Sequence, residues 1–126
     1  MVFTEKTLIS PNVYTSSSAF DSVALVSGSS PLLYAPKLLG FVAENTNGST
    51  SWVQLFDGYA APAGGATPIL SLKALTATQV VFNPDAFNCI SSPALNTGIV
   101  IALSSTGPTY TAISTHYLFL TAFWLQ

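Results

Sequence analysis

The stretch KLLGFVAENTNGSTSWVQLFDG, Lys37 to Gly58, carries the clearest fold signal in the chain. Its first half reads as extended, with Leu39, Phe41 and Ala43 on one side and Leu38, Gly40 and Val42 on the other, the two-residue repeat of a strand. The run closes in Glu44-Asn45-Thr46-Asn47-Gly48. Asn-Gly is strong turn chemistry because both residues tolerate positive φ. The return segment, Ser51 to Gly58, alternates Trp52, Gln54 and Phe56 against Val53 and Leu55. The reading is a β-hairpin.

The same pattern continues outward. The loop Ala61 to Pro68, APAGGATP, holds two Pro and two Gly, which exclude both a helix and an interior strand. Ile69 to Leu75 then places Leu70, Leu72 and Ala74 opposite Ser71 and Lys73, and Gln79 to Phe82 continues before Asn83-Pro84-Asp85 turns the chain. Gly98 to Thr106, GIVIALSST, is apolar on both faces and reads as a central strand covered on each side. The last stretch, Tyr117 to Gln126, sets Tyr117, Phe119, Phe123 and Leu125 against Leu118, Leu120, Ala122 and Trp124. Near the start, Ser18 and Asp21 have capping-box spacing for a helix, but Val23 to Val26 are all apolar and a strand competes there. Together these segments predict an all-β fold: an antiparallel, jelly-roll-like β-sandwich of seven or eight short strands with little helix. Residues 37–126 form the sandwich domain in this reading, and residues 1–36 an N-terminal arm or added strands.

Charge is scarce: three Lys, five Asp or Glu and no Arg in 126 residues, for a net charge of −2. Thirty Ser and Thr supply the polar surface instead. Three scattered Lys do not neutralise a run of phosphates, so nucleic acid is excluded as a partner. Hydrophobic residues make up 49%, yet the longest apolar runs fall far short of the roughly twenty residues of a spanning helix. No membrane association is expected. Met1 to Lys6 has no basic region leading into an apolar stretch, so the expectation is a soluble chain made in the cytosol.

Candidate chemistry is thin. His116 is the only histidine and follows Ser114-Thr115 at the entry to the terminal strand, where a lone His is ordinarily a surface or capping residue. Cys89 is the only cysteine, which precludes an internal disulfide and reads as a small buried hydrophobe. The acids Glu5, Asp21, Glu44, Asp57 and Asp85 are spread singly, without the pairing that glycoside hydrolysis needs. Asn47-Gly48-Ser49 fits the glycosylation sequon, a short pattern common by chance. Gly64-Gly65 lacks the following Lys-Ser or Lys-Thr of a phosphate loop. The expectation is no enzyme and no catalytic, metal or cofactor site. Exposed rings remain: Trp52 and Tyr59 are candidates for stacking on a ligand.

From about Leu39 to Gln126 the chain resembles a group of small all-β proteins encoded by tailed bacteriophages. The resemblance lies in the order of parts: the aromatic WVQLFD, the APAGGATP loop, the strand from Ile69, then TGIVIALSST followed by Gly107-Pro108-Thr109. It departs at Ser92-Pro93, where a basic residue would precede the Pro, and in a longer, more apolar final strand. What the resemblance implies is a virion structural protein of capsid-decoration, head-fibre or tail type, assembled in the host cytoplasm. Its partners would be its own copies, with a trimer favoured, and the major capsid or other virion proteins. The charge-free final strand supplies the expected contact residues, Tyr117, Phe119, Phe123 and Trp124. The alternative is a receptor- or carbohydrate-binding tip that uses Trp52 or Tyr59 on a host glycan.

Overall fold

In a computed structural model, which describes residues 12–26, 36–83, 95–113 and 116–125, the alternating segments become eight strands. They are β1 (Asn12–Thr15), β2 (Ser22–Ala24), β3 (Lys37–Asn45), β4 (Ser51–Phe56), β5 (Leu70–Ala74), β6 (Thr78–Phe82), β7 (Val100–Ser104) and β8 (Leu118–Leu125). Two four-stranded antiparallel sheets result, one ordered β1-β8-β3-β6 and the other β2-β7-β4-β5. The described residues contain no helix, so none is long and apolar enough to cross a membrane. The segment with capping-box spacing holds β2 instead, paired with β7 from Ser22↔Ala102 to Ala24↔Val100. Within residues 1–36, β1 and β2 each add a strand to one sheet.

The pairings β1·β8, β2·β7, β3·β6 and β4·β5 are those of one long hairpin with its turn between β4 and β5. Rolling that hairpin so that successive strand pairs fall alternately in the two layers gives the jelly roll. The topology corrects the local hairpin expected from Lys37 to Gly58. β3 and β4 lie in different sheets, because β3 is flanked by β8 and β6 while β4 is flanked by β7 and β5. Asn45 steers the chain across. Its side chain is fully buried, its Nδ2 donates to Ser49 O at 3.2 Å and Ala74 O at 3.1 Å, and its Oδ1 accepts from Asn47 N at 2.9 Å. An Asx turn thus replaces a hairpin turn.

A second correction concerns phase. The alternation placed Leu38 opposite Phe41, but a register shift between Leu38 and Gly40 inserts one residue. Leu38, Phe41 and Ala43 therefore all point inward and are buried, an effect proper to a β-bulge. They meet Leu118, Leu120, Ala122 and Trp124 of β8, and across the layer Val53, Leu55, Ile101 and Leu103 of β4 and β7. β7 is buried along its whole length, as the two-sided apolar sequence predicts. The β5–β6 corner turns tightly through Ala77, whose φ is 54°, with Thr78 N and Oγ1 both donating to Leu75 O.

Candidate functional site

The sandwich has two outer faces. On the β2-β7-β4-β5 sheet, Phe56, Val100, Ala102 and Tyr110 form a second buried cluster outside the main core. Two loops roof it, residues 57–69 and residues 105–113. Tyr110 N donates to Ala66 O and Gly65 N to Tyr110 O, both at 2.8 Å, which joins the loops to each other. Gly65 takes a φ of 85° in the Ala63–Ala66 turn, as the third residue of a type II turn must. The Tyr110 ring meets Phe56 edge-on at 5.8 Å.

Gln54 fastens this roof to the sheet. Its Nε2 lies 2.9 Å from Thr106 O, 3.0 Å from Gly107 O and 3.2 Å from Ser71 Oγ. So many acceptors fix the amide orientation, since the flipped form would set its oxygen against two carbonyls. Ser104 Oγ works alongside, donating to Thr106 O and accepting from Thr111 N at 2.9 Å. At the other end of β4, Asp57 accepts backbone N–H bonds from Thr97 at 2.8 Å, Asn96 at 3.1 Å and Gly98 at 3.2 Å. Burial alone would raise its carboxyl, but the Thr97, Asn96 and Gly98 donors outweigh it and hold the pKa below the ordinary value. A Cβ on Gly98 would come within 2.1 Å of Gly58 O, so the segment before β7 can lie this close only as glycine.

Trp52 stands at the margin of the roof. It lines an open cleft of about 550 Å³ together with Ser71, Ser105, Thr106, Gly107 and Pro108. A Cβ on Gly107 would reach the indole at 2.9 Å, so the glycine lets the loop rest on the ring. Tyr59 is 52% exposed but does not line this cleft. The two candidate stacking rings therefore do not share this cleft.

The β1-β8-β3-β6 sheet has a different outer face. β8 alternates buried Leu118, Leu120, Ala122 and Trp124 with more exposed Phe119, Thr121, Phe123 and Leu125. Of the four residues expected at a contact, Phe119 and Phe123 point outward, Trp124 points into the core, and half-buried Tyr117 packs at the core's edge. Trp124 Nε1 is buried without a hydrogen-bond partner among the described residues. Val13 at 57% exposed and Val81 at 64% extend the apolar outer surface onto β1 and β6. Thr15, Thr121, Val42 and Val81 align as one row across all four strands.

His116 has found a partner 95 residues back in sequence, its Nδ1 lying 3.0 Å from Asp21 Oδ1. Burial first, then the Asp21 charge, raises the Tyr110 hydroxyl above its ordinary pKa. The His116 side chain is 68% exposed, so this surface pair contributes little to stability. Cys89, Glu5 and Asp85 lie outside the described residues. Among the described residues no group of three or more His, Cys, Asp or Glu is placed to hold a metal ion.

Comparison of the chain with protein-family models, curated proteins and solved structures found no match. Sequence reading singled out the rings and missed Gln54 and Asp57. The one available signal for Gln54 was its place among apolar neighbours in WVQLF, where a polar residue facing a covered layer needs a partner.

Proposed function

We propose that this chain is a structural subunit of a virion, one that decorates or cements a capsid as a homo-oligomer. The observation that carries the reading is the apolar outer face of the β1-β8-β3-β6 sheet, which no described segment covers and where Phe119 and Phe123 stand 36% and 38% exposed. Patches of this kind mark interaction surfaces. A chain with three Lys and five acids also lacks the charge that keeps free monomers apart, and the bacteriophage resemblance points to the particle as the place of assembly. Jelly rolls serve viral shells and lectins alike, so the topology supports the reading without selecting it. Mixing the purified chain with phage heads assembled without it, then pelleting the heads, tests the proposal. Saturable co-sedimentation is the expected result, and a chain left in the supernatant at micromolar concentration overturns it.

A second reading has its own observation, the open cleft beside Trp52 with the hydroxyls of Ser71, Ser105 and Thr106 around it. An aromatic wall with neighbouring hydroxyls suits a sugar ring, and the chain would then be a fibre or tail tip that binds a host glycan. Binding on a glycan array that disappears in Trp52→Ala favours this reading. An empty array removes it.

A further inference from the structure

We infer that the outer face of the β1-β8-β3-β6 sheet binds a second copy of this chain, face to face about a two-fold axis that runs across the strands. The inference rests on the reading of the chain as a subunit that works in copies, and it names the surface and the symmetry. Relief and charge on the face carry it.

Along β3, Lys37 is exposed at one end and Glu44 is half-buried at the other. Both belong to the outer face, Lys37 beside Leu125 and Glu44 beside Phe119. Neither has an ion-pair partner among the described residues. A two-fold axis lying in the interface and crossing the middle of β3 sets each β3 antiparallel over its copy. Lys37 of one chain then stands over Glu44 of the other, and the pair occurs twice. Phe119 falls opposite the copy's Leu125 under the same operation.

The relief fits the same arrangement. Gly40 pairs with Phe123, and a Cβ there would meet Phe82 O at 2.7 Å, so β6 closes in on the glycine; beside it lies a hollow of about 300 Å³ bordered by Leu39, Val42, Val81 and Phe123. The row next to it holds Val42 and Thr121, paired with each other. Under the two-fold, Val42 of each copy faces the hollow beside Gly40 of its partner, and Phe123 rests over the smaller Thr121. Packed sheets cross at about 30°, which displaces the ends of β3 by roughly 5 Å, within reach of a lysine side chain. Four strands about 4.8 Å apart and some 20 Å long make a face of roughly 400 Å² in plan. With side-chain relief, two such faces bury on the order of 1,200 Å², the low end for a specific contact. The expected dimer is therefore one of micromolar affinity. A stacked face closes with two chains, so a three-copy assembly would have to use another surface.

Sedimentation velocity across about 1 to 200 µM, with thermal melts of every variant, tests the proposal. The expected wild-type behaviour is a reversible monomer–dimer equilibrium. Phe123→Asp and Val81→Lys should each leave a monomer that melts near the wild-type temperature. Lys37→Glu and Glu44→Lys should each weaken dimerisation by about tenfold, and the double variant should recover most of it. A wild-type monomer at 200 µM overturns the proposal, as does a dimer indifferent to Phe123→Asp and Val81→Lys. Charge reversals that fail to compensate overturn the two-fold register. Head pelleting reports separately: a dimer that ignores heads overturns only the capsid reading, and a monomer that binds them overturns the dimer and the homo-oligomer while leaving attachment to the capsid.

Discussion

Phe56 and Phe123 hold comparable positions, each an outward-facing aromatic on an interior strand of its own sheet. Phe56 is 8% exposed and Phe123 is 38% exposed. The strands are not what distinguishes them. Over Phe56 lie segments that follow β4 and β7, residues 57–69 and 105–113, long enough to fold back and to bond to each other through Tyr110 and Ala66. No described connection does this over Phe123. The described loops thus finish one sheet face, and no described loop finishes the other.

Substituting the roof and the bare face in parallel is the strongest way to break that contrast. Tyr110→Ala removes a buried ring and opens a cavity, and should cost about 3 kcal/mol in urea unfolding. Phe123→Ala, measured at a concentration where the chain is monomeric, should cost under about 1 kcal/mol. Equal costs would mean that the two faces are covered alike. Gln54→Leu comes next. It keeps the volume but strips the donor from the Thr106 and Gly107 carbonyls, at a cost of about 2 kcal/mol, and should speed amide exchange in residues 105–111. Loss of stability without faster exchange there would show that Gln54 does not fasten the roof.

Acid sharpens the comparison more gently. The Asp57 pKa is lower folded than unfolded, so the unfolded chain binds the proton more readily. Its contribution is whole above the ordinary carboxylate range and is lost as pH falls through the depressed folded pKa. Wild type should lose stability over that acidic window, and Asp57→Asn should flatten the change; an unaltered acid limb in Asp57→Asn would contradict the role given to Asp57. The smallest expected effect lies away from both faces. Ala77→Gly relieves the positive φ of the β5–β6 corner and, after the entropy that glycine adds to the unfolded chain, should gain about 0.5 kcal/mol. A net loss in thermal melts would mean that the turn is not strained.

Most of this architecture was legible as strands and only partly legible as partners. Two-residue alternation marked the faces of β4, β5 and β8, and the two-sided apolar run marked β7. Alternation says which side a residue faces but not which strand lies alongside. That is why Lys37 to Gly58 read as a hairpin, although its two strands lie in separate sheets. The bulge at Leu38 and Gly40 was hidden for a related reason, since it is defined against β8, some 85 residues away. Phe119, Phe123 and Trp124 could be assigned to faces, but only the fold shows that Trp124 is on the covered one. Asp57 and Gln54 act on backbone atoms of distant loops, and a backbone donor or acceptor leaves no mark in a sequence.

The rolled pairing order also governs how the chain is made. β8 lies between β1 and β3, with Asn12 opposite Trp124 and Lys37 opposite Leu125. Until β8 leaves the ribosome, β1 lacks its one partner among the described strands and β3 has one open edge, the kind of unpaired edge that recruits other chains. Such non-local closure folds slowly, on the order of milliseconds to seconds. The eight residues Leu118–Leu125 therefore act as a latch that closes both edges at once.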